Sequence, residues 1–179
     1  MAGSSGSGTA GTSGTGGAAG GGTGGASTAG SGGGCDQKDW EPNDSQATAR
    51  PLTDITDCDN SGGSIDGTLA PGDVDWFTFK ASDTTFCSVN PYVNVTSSDN
   101  VTVCMYFKCD SGTTSVTCPA GSQDWSASPT NPGCCTSLTP LEPSVSCGGL
   151  FSNDSTQVWI EVSWEGNMSC RNYSLDYHY

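Results

Sequence analysis

The fold of this chain is read most directly from Gly72-Asp73-Val74-Asp75-Trp76-Phe77-Thr78-Phe79. Val74, Trp76 and Thr78 alternate with Asp75, Phe77 and Phe79, and a period of two is the signature of a β-strand. Aromatic residues fall on both sides, so the pattern assigns Trp76 to neither face.

Similar runs lie to either side. Residues 64–69 place Ile65, Gly67 and Leu69 together. Residues 89–96 and 101–107 are β-branched and aromatic, and the turn Ser97-Ser98-Asp99-Asn100 between them predicts a hairpin. In 157–164, Val158, Ile160, Val162 and Trp164 face one way. Tyr173, Leu175 and Tyr177 do the same in the last run. No stretch of ten residues carries a helical period, and only a one-turn helix at 45–49, ended by Pro51, is expected. Six or more short strands with one apolar face each predict an all-β, antiparallel, jelly-roll-like β-sandwich.

Composition divides the chain in two. Residues 1–34 carry no charge, aromatic or cysteine, and nearly half are Gly. They read as a disordered linker spanning on the order of 30 Å. Residues 35–179 form one domain. With only 33% hydrophobic residues its core is thin, and cysteines are the expected supplement. There are ten: Cys35, Cys58, Cys87, Cys104, Cys109, Cys118, Cys134, Cys135, Cys147 and Cys170. An oxidising compartment turns them into as many as five crosslinks, at roughly 2–4 kcal/mol each. Zinc is the weaker use, because there is no C-x-x-C and His178 is the only histidine. Cys134-Cys135 is expected to form two bridges to different partners. Residues 109–147 are rich in Ser, Thr, Pro and Gly, strand signals fade there, and the segment reads as a Cys-rich, crosslinked insertion.

The net charge of −14 disfavours nucleic acid and anionic lipid and favours cations. No apolar run is long enough to span a membrane as a helix. Met1 leads straight into Gly and Ser, so no leader is visible. The cysteines nevertheless require export, and a native leader is expected to be missing from this sequence. The expected location is secreted, periplasmic or cell-surface, and the expected state is monomeric.

Two acidic clusters carry the chemistry: Asp39-Trp40-Glu41-Pro42-Asn43-Asp44 and Gly72-Asp73-Val74-Asp75-Trp76-Phe77. Carboxylates about 4 Å apart repel by roughly 1 kcal/mol in water, and by more where the dielectric is lower. A fold that brings the clusters together needs a cation, and five basic residues leave a hard divalent ion as the candidate. Ca²⁺ takes six to eight oxygens, amide carbonyls included. Asp39, Glu41, Asn43, Asp44, Asp73 and Asp75 supply them. The alternative is plain local structure: Asn43 or Asp44 capping a helix that starts at Ser45, and Pro71-Gly72-Asp73 as an ordinary turn.

At these clusters the sequence resembles the bacterial pre-peptidase C-terminal domain, a β-sandwich module appended to secreted proteases and related to the collagen-binding domains of clostridial collagenases. The resemblance rests on Glu41-Pro42-Asn43-Asp44 with Ala47, on Gly67-Thr68-Leu69, on Asp73-Val74-Asp75-Trp76-Phe77-Thr78-Phe79, and on 158–164 with Tyr173-Ser174-Leu175. It is specific over 39–80, fair over 156–177 and poor between, where the Cys-rich stretch departs from the pattern. It implies a calcium site at Asp39, Glu41, Asn43, Asp44 and Asp75, with Asp73 beside them, and a non-catalytic accessory role.

Trp125 is the best exposed candidate for ligand contact, because it sits among polar residues in the loop-like region. Catalysis has little support. His178 lies at the chain end without a Ser or Cys partner in a recognisable motif, and no catalytic residue is assigned. The expected function is a secreted or cell-surface accessory module binding an extracellular polysaccharide or protein. The alternatives are a structural, surface-displayed or lipoprotein domain and a small hydrolase using Asp73 and Asp75 as a carboxylate pair.

Overall fold

The computed structural model describes residues 35, 41–57, 62–128, 131–149, 153–166 and 169–179. The linker 1–34 lies outside them, as do Asp39, Trp40 and Cys58. The described chain is a β-sandwich, antiparallel except where β1 and β2 run parallel to β4. One sheet holds β1 (Arg50–Pro51), β2 (Ile55–Thr56), β4 (Val74–Ser82), β6 (Thr102–Cys109), β8 (Gln123–Ser128), β9 (Asn131–Thr136) and β11 (Thr156–Ser163). Its order is β1-β4-β11-β6-β9-β8, with β2 also against β4. The facing sheet is β3 (Gly62–Leu69), β12 (Arg171–His178) and β5 (Tyr92–Ser97), with β12 central. β7 (Thr113–Thr117) and β10 (Ser144–Gly148) make a third, two-stranded ribbon.

β11 organises the larger sheet because its alternation is complete. Val158, Ile160 and Val162 are fully buried, and the strand pairs along its whole length with β4 on one side and β6 on the other. Phe77, Phe79, Val103, Met105 and Phe107 join them in the core, against Val93, Val95, Tyr173, Leu175 and Tyr177 of the facing sheet. Each such side chain contributes roughly 1.5–3 kcal/mol by leaving water.

β4 places Asp75, Phe77 and Phe79 inward and Trp76 outward, which answers the question its two-sided pattern left open. Trp76 stacks on Tyr106, with ring centroids 5.4 Å apart. These two and the Cys104–Cys135 bridge form a second apolar cluster on the outer face of the large sheet, with Trp159 packed against it.

Two expectations are corrected. The predicted hairpin across 97–100 does not form: β5 pairs with β12, whereas β6 pairs with β11 and β9. The turn carries the chain from one sheet to the other, and each strand finds a partner whose buried residues continue its own side of the core. The Cys-rich stretch is also not loop-like. It contains β7, β8, β9 and β10, so Trp125 stands on a strand. Ser and Thr dominate β7 and give it no apolar alternation; crosslinks hold the region instead.

Cys109–Cys147 ties the end of β6 to β10, and Cys118–Cys134 ties the end of β7 to β9. Adjacent residues of a strand point to opposite faces. Cys134 accordingly bonds Cys118 on the core side while Cys135 bonds Cys104 on the outer side. Cys35–Cys170 fastens the start of the domain beside β12. Cys87 is disulfide-bonded as well. This pairing fits an oxidising, extracytoplasmic compartment. Among the described residues no helix is long and apolar enough to cross a membrane.

Glycines on β3 shape the opposite layer. Gly67 and Gly63 face Tyr173 and Tyr177 across the ladder. A Cβ at Gly67 would lie 2.2 Å from the Tyr173 ring, and one at Gly63 would lie 2.3 Å from the Tyr177 hydroxyl. Both rings therefore lie where a side chain would otherwise be.

Candidate metal centre

The segment before β1 docks on the start of β4 through its backbone: Trp76 N donates to Asn43 O at 2.8 Å. This bond joins the two acidic clusters. Carboxylate oxygens of Glu41, Asp44 and Asp73 all lie within 4.8 Å of one another. Glu41 and Asp44 are exposed and Asp73 is half-buried.

Local hydrogen bonds set each group. Glu41 Oε2 accepts from the Asn43 N–H at 2.9 Å, turning its carboxylate back over its own segment. Asp73 closes the turn before β4: Oδ1 accepts from Val74 N at 2.9 Å and Oδ2 from Ala70 N at 3.2 Å. Gly72 holds a left-handed φ of 79° there, which glycine adopts without a Cβ penalty. A one-turn 3₁₀ helix spans Gln46–Thr48, and Ser45, its N-cap, makes no side-chain cap bond. The helix thus places Asn43 and Asp44 outside the capping position.

Asn43 is the unusual residue. It is fully buried, yet neither Oδ1 nor Nδ2 has a hydrogen-bond partner. A buried polar group left unmatched costs roughly 1–3 kcal/mol. Its carbonyl oxygen is a hard donor of the kind Ca²⁺ accepts. Asn43 lies between Glu41 and Asp44 in the chain, and the three converging carboxylates fit a hard divalent cation.

Asp75 stands apart from this group. It is completely buried inside the sandwich, where Oδ2 accepts from the Tyr173 hydroxyl at 2.6 Å. Asp73 belongs to the turn and Asp75 to the core side of β4. Asp39 lies outside the described residues. A second constellation, Cys118, Asp124 and Cys134, offers little to a metal, since its two sulfurs are bonded to each other.

His178 stacks on Tyr92, with centroids 4.7 Å apart. Burial lowers its pKa, and Glu142 partly opposes the shift. Glu161 on β11 accepts from the Tyr106 hydroxyl at 2.8 Å. Its pKa is raised by burial, against the opposing effect of that bond.

Trp125 is 55% exposed on the edge strand β8. Its neighbours follow from the register of the sheet. Trp125 is opposite Gly133, Gly133 opposite Tyr106, and Tyr106 opposite Trp159. The signal was present in β11, where Trp159 falls at a position alternate to Val158 and Ile160.

No family model, no curated protein and no solved structure matches this chain.

Proposed function

We propose that this chain is a non-catalytic accessory module of a secreted or cell-surface protein, of the pre-peptidase C-terminal type, stabilised by Ca²⁺ at Glu41, Asn43, Asp44 and Asp73. The observation that carries the proposal is the convergence of three carboxylates drawn from two separated segments, in one of which Asn43 carries a buried, unmatched amide. The ion would offset carboxylate repulsion and supply the partner that the Asn43 oxygen lacks. It would also fasten the segment before β1 to the turn before β4. Asp75 is omitted from the shell because its carboxylate is not among the three that converge. A binding role is supported by the exposed Trp125.

The test is thermal. Chelated protein is melted across a CaCl₂ series. A ligand that binds only the folded state stabilises by about 2.7 kcal/mol at one hundred times its Kd. The midpoint should climb with calcium in the wild type and stay level in Asp44→Asn and Asp73→Asn. A wild-type midpoint indifferent to calcium removes the metal from the proposal.

A further inference from the structure

The two outer faces of the sandwich differ in chemistry. On the three-stranded sheet, the central strand turns Asn172, Ser174 and Asp176 outward, and its neighbours set Thr96 and Asp66 opposite Ser174. That is an ordinary solvated face. The outer face of the seven-stranded sheet instead carries one row of aromatic residues. From β11 through β6 and β9 to β8, the register places Trp159, Tyr106, Gly133 and Trp125 side by side.

The row crosses four neighbouring strands. Trp159 and Trp125 are three strand spacings apart, roughly 14 Å at about 4.8 Å per strand. Gly133 keeps the middle level: a Cβ there would lie 2.6 Å from the Tyr106 ring and 2.2 Å from Met105 O. Tyr106 is buried and acts as the floor, held by Trp76 and by its bond to Glu161. Trp159 is half-buried and Trp125 exposed, so these two offer ring surface to a partner.

Charge narrows the partner. Lys80 on this face is bridged to Asp110 at 3.0 Å, and Glu161 is held by Tyr106. Beside the row, Gln157 donates to the Thr78 hydroxyl at 2.7 Å and to Phe79 O at 2.9 Å, and Thr78 donates on to Val158 O, so these polar groups are already matched. Lys108, opposite Gln157, is exposed on the same face, and the chain as a whole carries a net charge of −14, which repels polyanions. An uncharged ligand is the complement. A row, unlike a closed pocket, suits an extended chain rather than a small molecule. Pyranose rings present C–H faces that lie against aromatic rings and hydroxyl rims that meet amides and hydroxyls.

We infer that this face is a platform for an extended, uncharged polysaccharide, with Trp125 and Trp159 as its stacking surfaces. The inference rests on the accessory-module proposal and gives that module its ligand class.

Depletion from solution by microcrystalline cellulose and by chitin tests it, with polygalacturonate as the acidic polymer and fibrillar collagen as the protein polymer. Wild-type protein should bind at least one neutral polysaccharide, and affinity should fall at least tenfold in Trp125→Ala. Trp159→Phe, which keeps an aromatic ring, should fall less far than Trp125→Ala. Calcium-dependent melting measured on Trp125→Ala should be unchanged, which separates the face from the ion. Polysaccharide binding undiminished in Trp125→Ala overturns the platform and leaves the module intact. Binding to collagen or polygalacturonate alone also overturns the platform while sparing the module. Retention by none of the four polymers overturns the platform and withdraws support from the module as well.

Discussion

The hydroxyl of Tyr173 donates to Oδ2 of Asp75 at 2.6 Å, joining the two sheets of the sandwich between residues 98 positions apart. Both are buried, so the bond lies where water cannot replace it. Tyr173→Phe keeps the ring and removes the donor. A hydrogen bond to a carboxyl group in such a place contributes about 1.5–3 kcal/mol. Chemical denaturation should show a loss of that size, and a cycle with Asp75→Asn should show coupling between the two. Independent, additive effects would mean that the bond adds nothing beyond packing.

The position of that ring depends on Gly67. Gly67→Ala puts a methyl group where the Tyr173 ring lies. Overpacking of this kind costs about 1–3 kcal/mol. The same experiment on Gly121, whose Cβ meets nothing, separates space from conformation, since Gly121 holds a φ of 90° and only backbone strain acts there. Gly67→Ala should recover when combined with Tyr173→Leu, and Gly121→Ala should not.

Much of this was legible in advance. Val158, Ile160 and Val162 declared a half-buried strand because only one of their sides is apolar. Asp73 and Asp75 were harder. Two residues i and i+2 share a face only inside a strand, and β4 begins at Val74. One carboxylate therefore folds back onto a turn while the other enters the core. Partner choice for 89–107 was also hidden, because a β-branched run states that it pairs but not with what. In 109–147, short polar strands left no alternation to read, and four strands emerge from a stretch whose order is fixed by bridges.

Those bridges carry a prediction. Cys109 and Cys147 close a separation of 38 residues, and the chain-entropy contribution of such a link is roughly 2–4 kcal/mol. The double variant Cys109→Ser, Cys147→Ser should lose stability in that range by denaturant midpoint. It should also gain amide exchange over β7 and β10 before the rest of the sandwich opens. Uniform protection throughout the variant would show that the ribbon does not depend on the link.

Two groups give stability opposite pH dependences. Burial lowers the His178 pKa, so the unfolded chain binds the proton more readily, and stability falls as pH drops through the ordinary histidine value near 6.5. Burial raises the Glu161 pKa, so the folded chain holds its proton longer. That contribution is fully present below the unfolded carboxyl value and is lost as pH rises through the folded one. Glu161→Gln keeps an acceptor for Tyr106 and removes the titration. Its melting midpoint should exceed wild type at pH 7 and converge with it near pH 4. A constant offset at both pH values would contradict the assignment.

The calcium site proposed at Glu41, Asn43, Asp44 and Asp73 is most directly tested by isothermal titration of chelated protein with CaCl₂. One calcium per chain should bind, with a Kd in the range of extracellular modules, about 10⁻⁴–10⁻³ M or tighter, and Asn43→Ala should weaken it at least tenfold. No binding heat from wild-type protein up to 10 mM calcium, about ten times the weakest of those constants, would contradict the account. So would an Asn43→Ala protein that binds the ion as wild type does.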